Sequence, residues 1–157
     1  MKERNFDADA RQDYRARIDY GELSTAVGYR MRRARGSLLA DLNERLSLRD
    51  MRPTDFSVLT IIANNPGLKQ SEVAEALGIQ RANFVGVIKA LEKSGFAERR
   101  KSDADRRVQS LHITSSGITH LAEVATICQQ HERYVVDQLG GAEARDQLIA
   151  LLSRLNP

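Results

Sequence analysis

Four consecutive residues, Gln80-Arg81-Ala82-Asn83, carry the side chains in this chain best suited to reading the edges of base pairs. In the major groove a guanidinium fork matches guanine, the amide of Gln or Asn matches adenine, and a small methyl meets the methyl of thymine. Lys89 follows on the same segment, and beyond it Arg100, Lys101 and Arg107 are of the type that contacts phosphates. Such contacts supply affinity and salt dependence but little sequence information. Between Gln80 and Arg107 eight bases stand against four acids, a local charge of +4 in a chain whose total is +3. All the excess positive charge therefore lies in one stretch, as expected of a surface that faces phosphates.

Those residues need elements to position them. Upstream, Val73, Ala74 and Leu77 fall at the helical period, and Gly78 can leave a helix with positive φ, so the spacing predicts a helix that ends in a Gly78-Ile79 turn. Phe84, Val87, Ile88 and Leu91 then recur at i, i+3, i+4 and i+7, which buries one stripe of a second helix and turns Arg81, Ala82, Gly86, Lys89 and Lys93 elsewhere. Two helices joined by so short a turn make a helix-turn-helix. Gly95 caps the second one. Residues 96–100 and 108–114 read as strands, the second with Leu111 and Ile113 inward and Gln109 and His112 outward. The charged stretch 101–107 between them is a solvent-exposed wing.

The run EVAEALGI, a second helix ending LEKSGF, the wing ERRKSDADRR and then LHIT-SSG together resemble the winged helix-turn-helix of the MarR family of bacterial transcriptional regulators. The resemblance implies that Arg106 reaches into the minor groove while Asp105 holds it in place, and a narrow groove does concentrate negative potential for a guanidinium. It also implies a homodimer on pseudo-palindromic double-stranded DNA, acting as a repressor and released by a small aromatic or phenolic acid. For the effector pocket, Tyr29, Arg33 and Phe56 are the expected residues, since an aromatic wall with a guanidinium suits an aromatic carboxylate. Three positions depart from the family pattern. Arg52 and Lys69 stand where Thr caps are common, so those two helix starts are expected to be less sharply fixed. Gly86 stands where a larger polar residue is frequent, and permits close approach to a groove edge or to another helix.

The remaining chain fits this frame. Expected are a mainly α fold with a small β wing, an N-terminal arm over 1–22, dimerisation helices over 23–47 and 115–157, and a winged DNA-binding lobe over 48–114. The arm reads as a frayed or surface-helical segment that packs on a partner through Phe6, Tyr14 and Ile18. In the first long helix, residues 23–46, Val27, Met31, Ala34, Leu38, Leu42 and Leu46 form one stripe; Arg30, Arg32, Arg33 and Arg35 form a basic cluster, a solvated face or a DNA contact. Phe56, Val58, Leu59, Ile61 and Ile62 mark the most buried helix. After an N-cap at Thr114, Ile118, Leu121, Ala125, Cys128, Val135 and Leu139 follow a heptad spacing in a helix of roughly 35 Å. Gly140-Gly141 breaks it before a last Leu-rich helix. These helices hold more apolar surface than one lobe can cover, which predicts the dimer.

Composition excludes other classes. The single Cys128 allows no internal disulfide and reads as a small buried hydrophobe in preference to an oxidation sensor. The three histidines are too dispersed for a metal site, and no phosphate loop, nucleophile elbow or paired carboxylates suggest an enzyme or a cofactor. With no export signal and no membrane span, the expected location is the cytoplasm. A winged-helix module that binds protein and not DNA is the alternative reading.

Overall fold

The structure, a computed structural model, describes residues 18–101 and 109–155. A short 3-10 turn, Gly21–Ser24, precedes α1 (Val27–Ser47), α2 (Pro53–Asn64), α3 (Gln70–Ala76) and α4 (Arg81–Lys93). The strands β1 (Ala97–Lys101) and β2 (Gln109–Ile113) form an antiparallel pair, followed by α5 (Ser115–Leu139) and α6 (Ala142–Ser153). The chain divides into two compact units, 1–38 and 39–157. The first helix begins at Val27, the first residue of its apolar stripe, and not at residue 23 as expected. The hydroxyls of Ser24 and Thr25 donate to the carbonyls of Gly21 and Glu22, which diverts the backbone into a turn before Val27. Residues 1–17, and with them Phe6 and Tyr14 of the expected arm, lie outside the described residues; Ile18 is exposed.

Within unit 39–157 the core is aliphatic apart from Phe84. Val58, Leu59 and Ile62 of α2 are fully buried together with Val73 of α3, Phe84 and Ile88 of α4, Leu111 of β2 and Val124 of α5. At about 1.5–3 kcal/mol for each large side chain removed from water, this cluster is the main stabilising term of the unit. It also seats α4, because the stripe Phe84, Ile88, Leu91 can bury only if the opposite face turns outward.

Both unusual helix starts are well fixed, by a route other than the cap residue. The Arg52 backbone N–H donates to the Asp55 carboxylate at 3.1 Å, and the Lys69 N–H to Glu72 at 2.6 Å. These are the acidic halves of capping boxes: an Arg or Lys side chain cannot accept from the helix, but the acid at the third helical position still satisfies one backbone donor and complements the helix dipole. Asp55 is held further by the Arg52 guanidinium in two hydrogen bonds of 2.8 Å. Expected weakness at these two starts is thus corrected.

The hairpin is pinned along the outer edge of β2. Leu111 N–H donates to Leu68 at 2.8 Å, Gly67 N–H donates to Leu111, and Lys69 bridges Ser110, so a third short extended segment joins β2. Of the two residues expected to face solvent, Gln109 is exposed and His112 is half-buried, its Nε2 3.0 Å from the hydroxyl of the buried Ser110. At the far end Thr114 caps α5, its hydroxyl accepting from Gly117 N–H at 3.0 Å. The face of α5 that meets the core shares only part of the heptad stripe: Leu121 and Cys128 pack against the core. Val124 and His131 are its buried side chains, while Ile118 is exposed. His131 is held by Asp41 of α1, Nδ1 to Oδ2 2.9 Å, and Asp41 also accepts from Arg45 at 2.8 Å. Gly140 and Gly141, both at positive φ, end α5 as expected. No residue of α6 is buried; Leu148, Ile149, Leu151 and Leu152 are exposed, and so is Leu155 just beyond it.

Two outcomes follow for stability. A Cβ at Gly117 would stand 2.1 Å from the Phe96 carbonyl oxygen and 2.8 Å from Ile113. Gly117→Ala therefore forces backbone to move and should cost roughly 1–3 kcal/mol, read as a lower midpoint in denaturant unfolding. Asp41 is held below its ordinary carboxylate value of 3.8, chiefly by the hydrogen bond from Arg45 and secondarily by the one from His131. A depressed carboxylate contributes stability that is complete above about pH 5 and is lost as pH falls through the folded value. The gap in melting temperature between wild type and Asp41→Asn should shrink as the pH falls below 3.8; a gap that widened there would contradict it.

Candidate nucleic-acid interface

The N-terminal end of α4 is built to present side chains outward. Gln80 is its N-cap, extended at φ −58° and ψ 134°, and its side-chain amide makes no capping hydrogen bond. Arg81, Ala82 and Asn83 follow as exposed residues, directly before the buried Phe84. The backbone N–H groups of Asn83 and Phe84 both reach the Gln80 carbonyl at 3.0 Å, so the helix is closed by main chain while the side chains stay uncommitted to it. Ala82, Gly86, Lys89 and Lys93 fall along one line of the helix, each exposed. A Cβ at Gly86 would meet nothing within 4 Å. No other described helix of this chain approaches it there.

The wing is partly described. Arg100 is exposed on β1, but both Nε and Nη2 of its guanidinium donate to the Glu98 carboxylate of the same strand. Reaching a phosphate requires Arg100 to leave that pair, a small cost for two side chains about half exposed. Lys101, the last described residue of β1, is exposed. Asp105, Arg106 and Arg107 lie outside the described residues.

Sequence reasoning passed over Arg99. Its side chain is about three-quarters buried and donates from Nη1 to Glu92 of α4 at 2.8 Å, with Nη2 3.4 Å from Gln70 of α3. The signal available was its register, opposite Leu111 on the inward face of the hairpin.

The expected effector residues are placed as follows. Tyr29 and Arg33 line a hollow of 160 Å³ with Tyr20, Ser24 and Arg30. Tyr20 and Tyr29 pack with ring centroids 5.9 Å apart, the Arg32 guanidinium lies 5.5 Å from the Tyr29 ring centre, and Arg30 Nε donates to the Ser24 carbonyl at 2.7 Å. Phe56 is half-buried and packs against the core of unit 39–157. A second hollow, of 260 Å³, sits beside the C-terminal half of α4 between Asp50, Met51, Arg52, Asp55, Leu91 and Phe96. Cys128 is partly buried against the core, and burial raises its thiol above the ordinary value. No helix among the described residues is long and apolar enough to cross a membrane, and no cluster of three metal-ligating side chains occurs among them.

Comparison with known proteins converges on one group. The MarR family model matches residues 51–108, from the start of α2 to the wing. A protein of Thauera aromatica assigned to transcriptional regulation of the hcr operon is 32% identical over 141 residues, spanning 89% of this chain and 84% of its own. Among solved structures, the transcriptional repressor CouR bound to a 23-mer DNA duplex superposes with a TM-score of 0.83 at 35% identity, covering 89% of this chain and 99% of that one. CouR bound to p-coumaroyl-CoA gives 0.80 at 33% identity, with 88% and 97% covered.

Proposed function

Because the chain belongs to the MarR family of transcriptional regulators, we propose that it is a homodimeric repressor that sets one Gln80-Arg81-Ala82-Asn83 segment into each of two successive major grooves of a pseudo-palindromic operator. The observation that carries this reading is the end of α4: four exposed residues of base-reading type, none needed as a side-chain cap, on a helix whose other face is locked into the core. Arg81 is assigned to guanine and Gln80 or Asn83 to adenine, with Ala82 against a thymine methyl. Lys89, Arg100, Lys101 and Arg107 contact phosphates, and Arg106, oriented by Asp105, enters the minor groove.

The dimer is assigned to the first helix, α5 and α6. Exposed Val27, Met31, Tyr134, Leu148, Ile149 and Leu151 are apolar surface of the kind that a two-fold partner covers. The effector is assigned as an aromatic or phenolic acid, free or as its CoA thioester, in a site that includes Tyr29 and Arg33. A complex of CouR with p-coumaroyl-CoA supports that ligand class. Binding sites for ligands of that size usually enclose at least about 300 Å³, so a hollow of 160 Å³ holds only one end of such a molecule. Release follows if the ligand prefers a dimer whose two reading helices are wrongly spaced for DNA, and the two affinities are then coupled reciprocally.

The test uses a duplex selected from random DNA by the wild-type chain, with affinity measured by fluorescence anisotropy at several salt concentrations. Arg81→Ala should weaken binding by ~1–3 kcal/mol and relax preference at one position of each half-site. Lys101→Ala should weaken all sequences alike and reduce the salt slope by about 1. Should Arg81→Ala and Arg106→Ala leave both affinity and slope unchanged, the groove assignment is lost and a protein-binding winged helix replaces it. Sedimentation showing a monomer at micromolar concentration would remove the two-fold arrangement. p-Coumaric acid and p-coumaroyl-CoA should raise the melting temperature and lower DNA affinity, with Arg33→Ala reducing both effects.

A further inference from the structure

Arg99 is a base in the most basic stretch of the chain, yet it is turned away from the surface that such a stretch offers to phosphates. It pairs with Leu111 across the hairpin and shares the inward face with the buried Ala97. Its guanidinium holds the Glu92 carboxylate on the last turns of α4 at 2.8 Å, and its other nitrogen faces the Gln70 amide at 3.4 Å, on the first residue of α3. One planar group thereby touches all three parts of the winged helix-turn-helix: the first helix, the reading helix and the wing strand. Both charged partners are about three-quarters buried, at 23% and 27% side-chain exposure, so the pair is screened less than a surface contact.

The place of this contact along the hairpin matters. Main-chain bonds from Gly67, Leu68 and Lys69 fix β2 at Ser110 and Leu111. Arg99, opposite Leu111, adds a side-chain tie from β1 to α4 at the same level. Lys101 lies two residues further out, about 7 Å along the strand. A rotation of the hairpin about its base would carry the outer residues away from any groove in which α4 stays fixed, and the Arg99–Glu92 pair opposes that rotation.

We propose that Arg99, clamped between Glu92 and Gln70, is a positioning residue that sets the angle between the reading helix and the wing, so that both meet one stretch of duplex in register. It acts through other residues and contacts no base itself. The inference rests on the DNA-binding reading above, and makes a prediction opposite in sign to simple charge counting. Glu92→Gln removes a negative charge beside the DNA-facing surface, which by attraction alone tightens binding. By loosening the clamp it weakens specific binding instead.

The experiment compares wild type, Glu92→Gln and Arg99→Lys on the selected duplex and on a random duplex, across a salt series, with thermal melting to confirm folding. Arg99→Lys keeps the net charge but replaces a planar fork by a point charge that cannot hold both partners. Each variant should bind the selected duplex about tenfold more weakly, the usual scale for losing a hydrogen bond to a charged group. Random-duplex affinity and the salt slope should stay at wild-type values for Arg99→Lys, because no phosphate contact is lost. Selected-duplex affinity equal to or tighter than wild type in either variant overturns the clamp. A selection that enriches no duplex sinks this proposal together with the DNA reading, whereas an enriched duplex bound equally well by the variants sinks the clamp alone.

Discussion

Two neighbouring carbonyls, those of Gly95 and Phe96, form the joint on which the winged lobe depends. The Gly95 oxygen accepts from the hydroxyls of Thr114 and Ser116, both at 2.6 Å, and the Phe96 oxygen accepts from Thr114 N–H at 3.1 Å. Thr114 then caps α5 through Gly117. The C-terminal end of the reading helix, both strands of the hairpin and the start of the longest helix are thus fixed within a few residues of one another. Gly95 at φ +73° lets the chain leave α4, and Gly117 is the residue that lets α5 approach the Phe96 carbonyl without a side chain in the way. Displacing this joint would tilt α4 and the hairpin together.

Charge in the hairpin divides by face. Glu98 and Arg100 pair with each other on the outer side, where the pair is loosely held and contributes little to stability. Arg99, on the inner side, is taken up by α4 and α3. Of three consecutive bases, Arg99, Arg100 and Lys101, one is structural and one is engaged with its own neighbour. A count of positive charge along the sequence therefore overstates what this strand offers to phosphates and understates what it does for geometry. The same holds on the helical side, where Asp41 is satisfied by Arg45 and by a buried His131, a contact that joins α1 to the second half of α5.

Most of the fold was legible because its signals are local. The stripe Phe84, Ile88, Leu91, the positive-φ glycines at 78 and 95, and the Thr114 cap each act within a turn or two of chain, and the structure uses them as the periodicity implies. What escaped the sequence was non-local. Substitution of Thr by Arg52 and Lys69 looked like the loss of caps, but the acids three residues on, Asp55 and Glu72, take over. The buried face of α5 was placed only in part, because heptad spacing reports apolar positions without saying which neighbour covers them; Leu121 and Cys128 pack against this chain's core, where Val124 is buried, and Ile118 is exposed. His112 was expected in solvent because nothing in β2 announces that Leu68 and Lys69 add a third extended segment beside it. Gln80 to Asn83 were picked out by residue type and are exposed, whereas Arg99 could be separated from Arg100 only by cross-strand register.

The reading helix is treated differently at its two ends, and the difference explains how a small lobe can be both rigid and available. At the C-terminal end Leu91 is buried and its carbonyl accepts from Phe96 N–H, Glu92 holds Arg99, and Gly95 enters the joint with Thr114 and Ser116. At the N-terminal end the main chain is closed by Gln80, and its polar side chains take no part in closing it. A contact surface gains precision when its residues sit on an element locked by packing elsewhere, because little ordering is left to be done when the partner arrives. Commitment at one end of α4 is what allows the other end, with Gly86 keeping the line toward Lys89 free of bulk, to stay exposed.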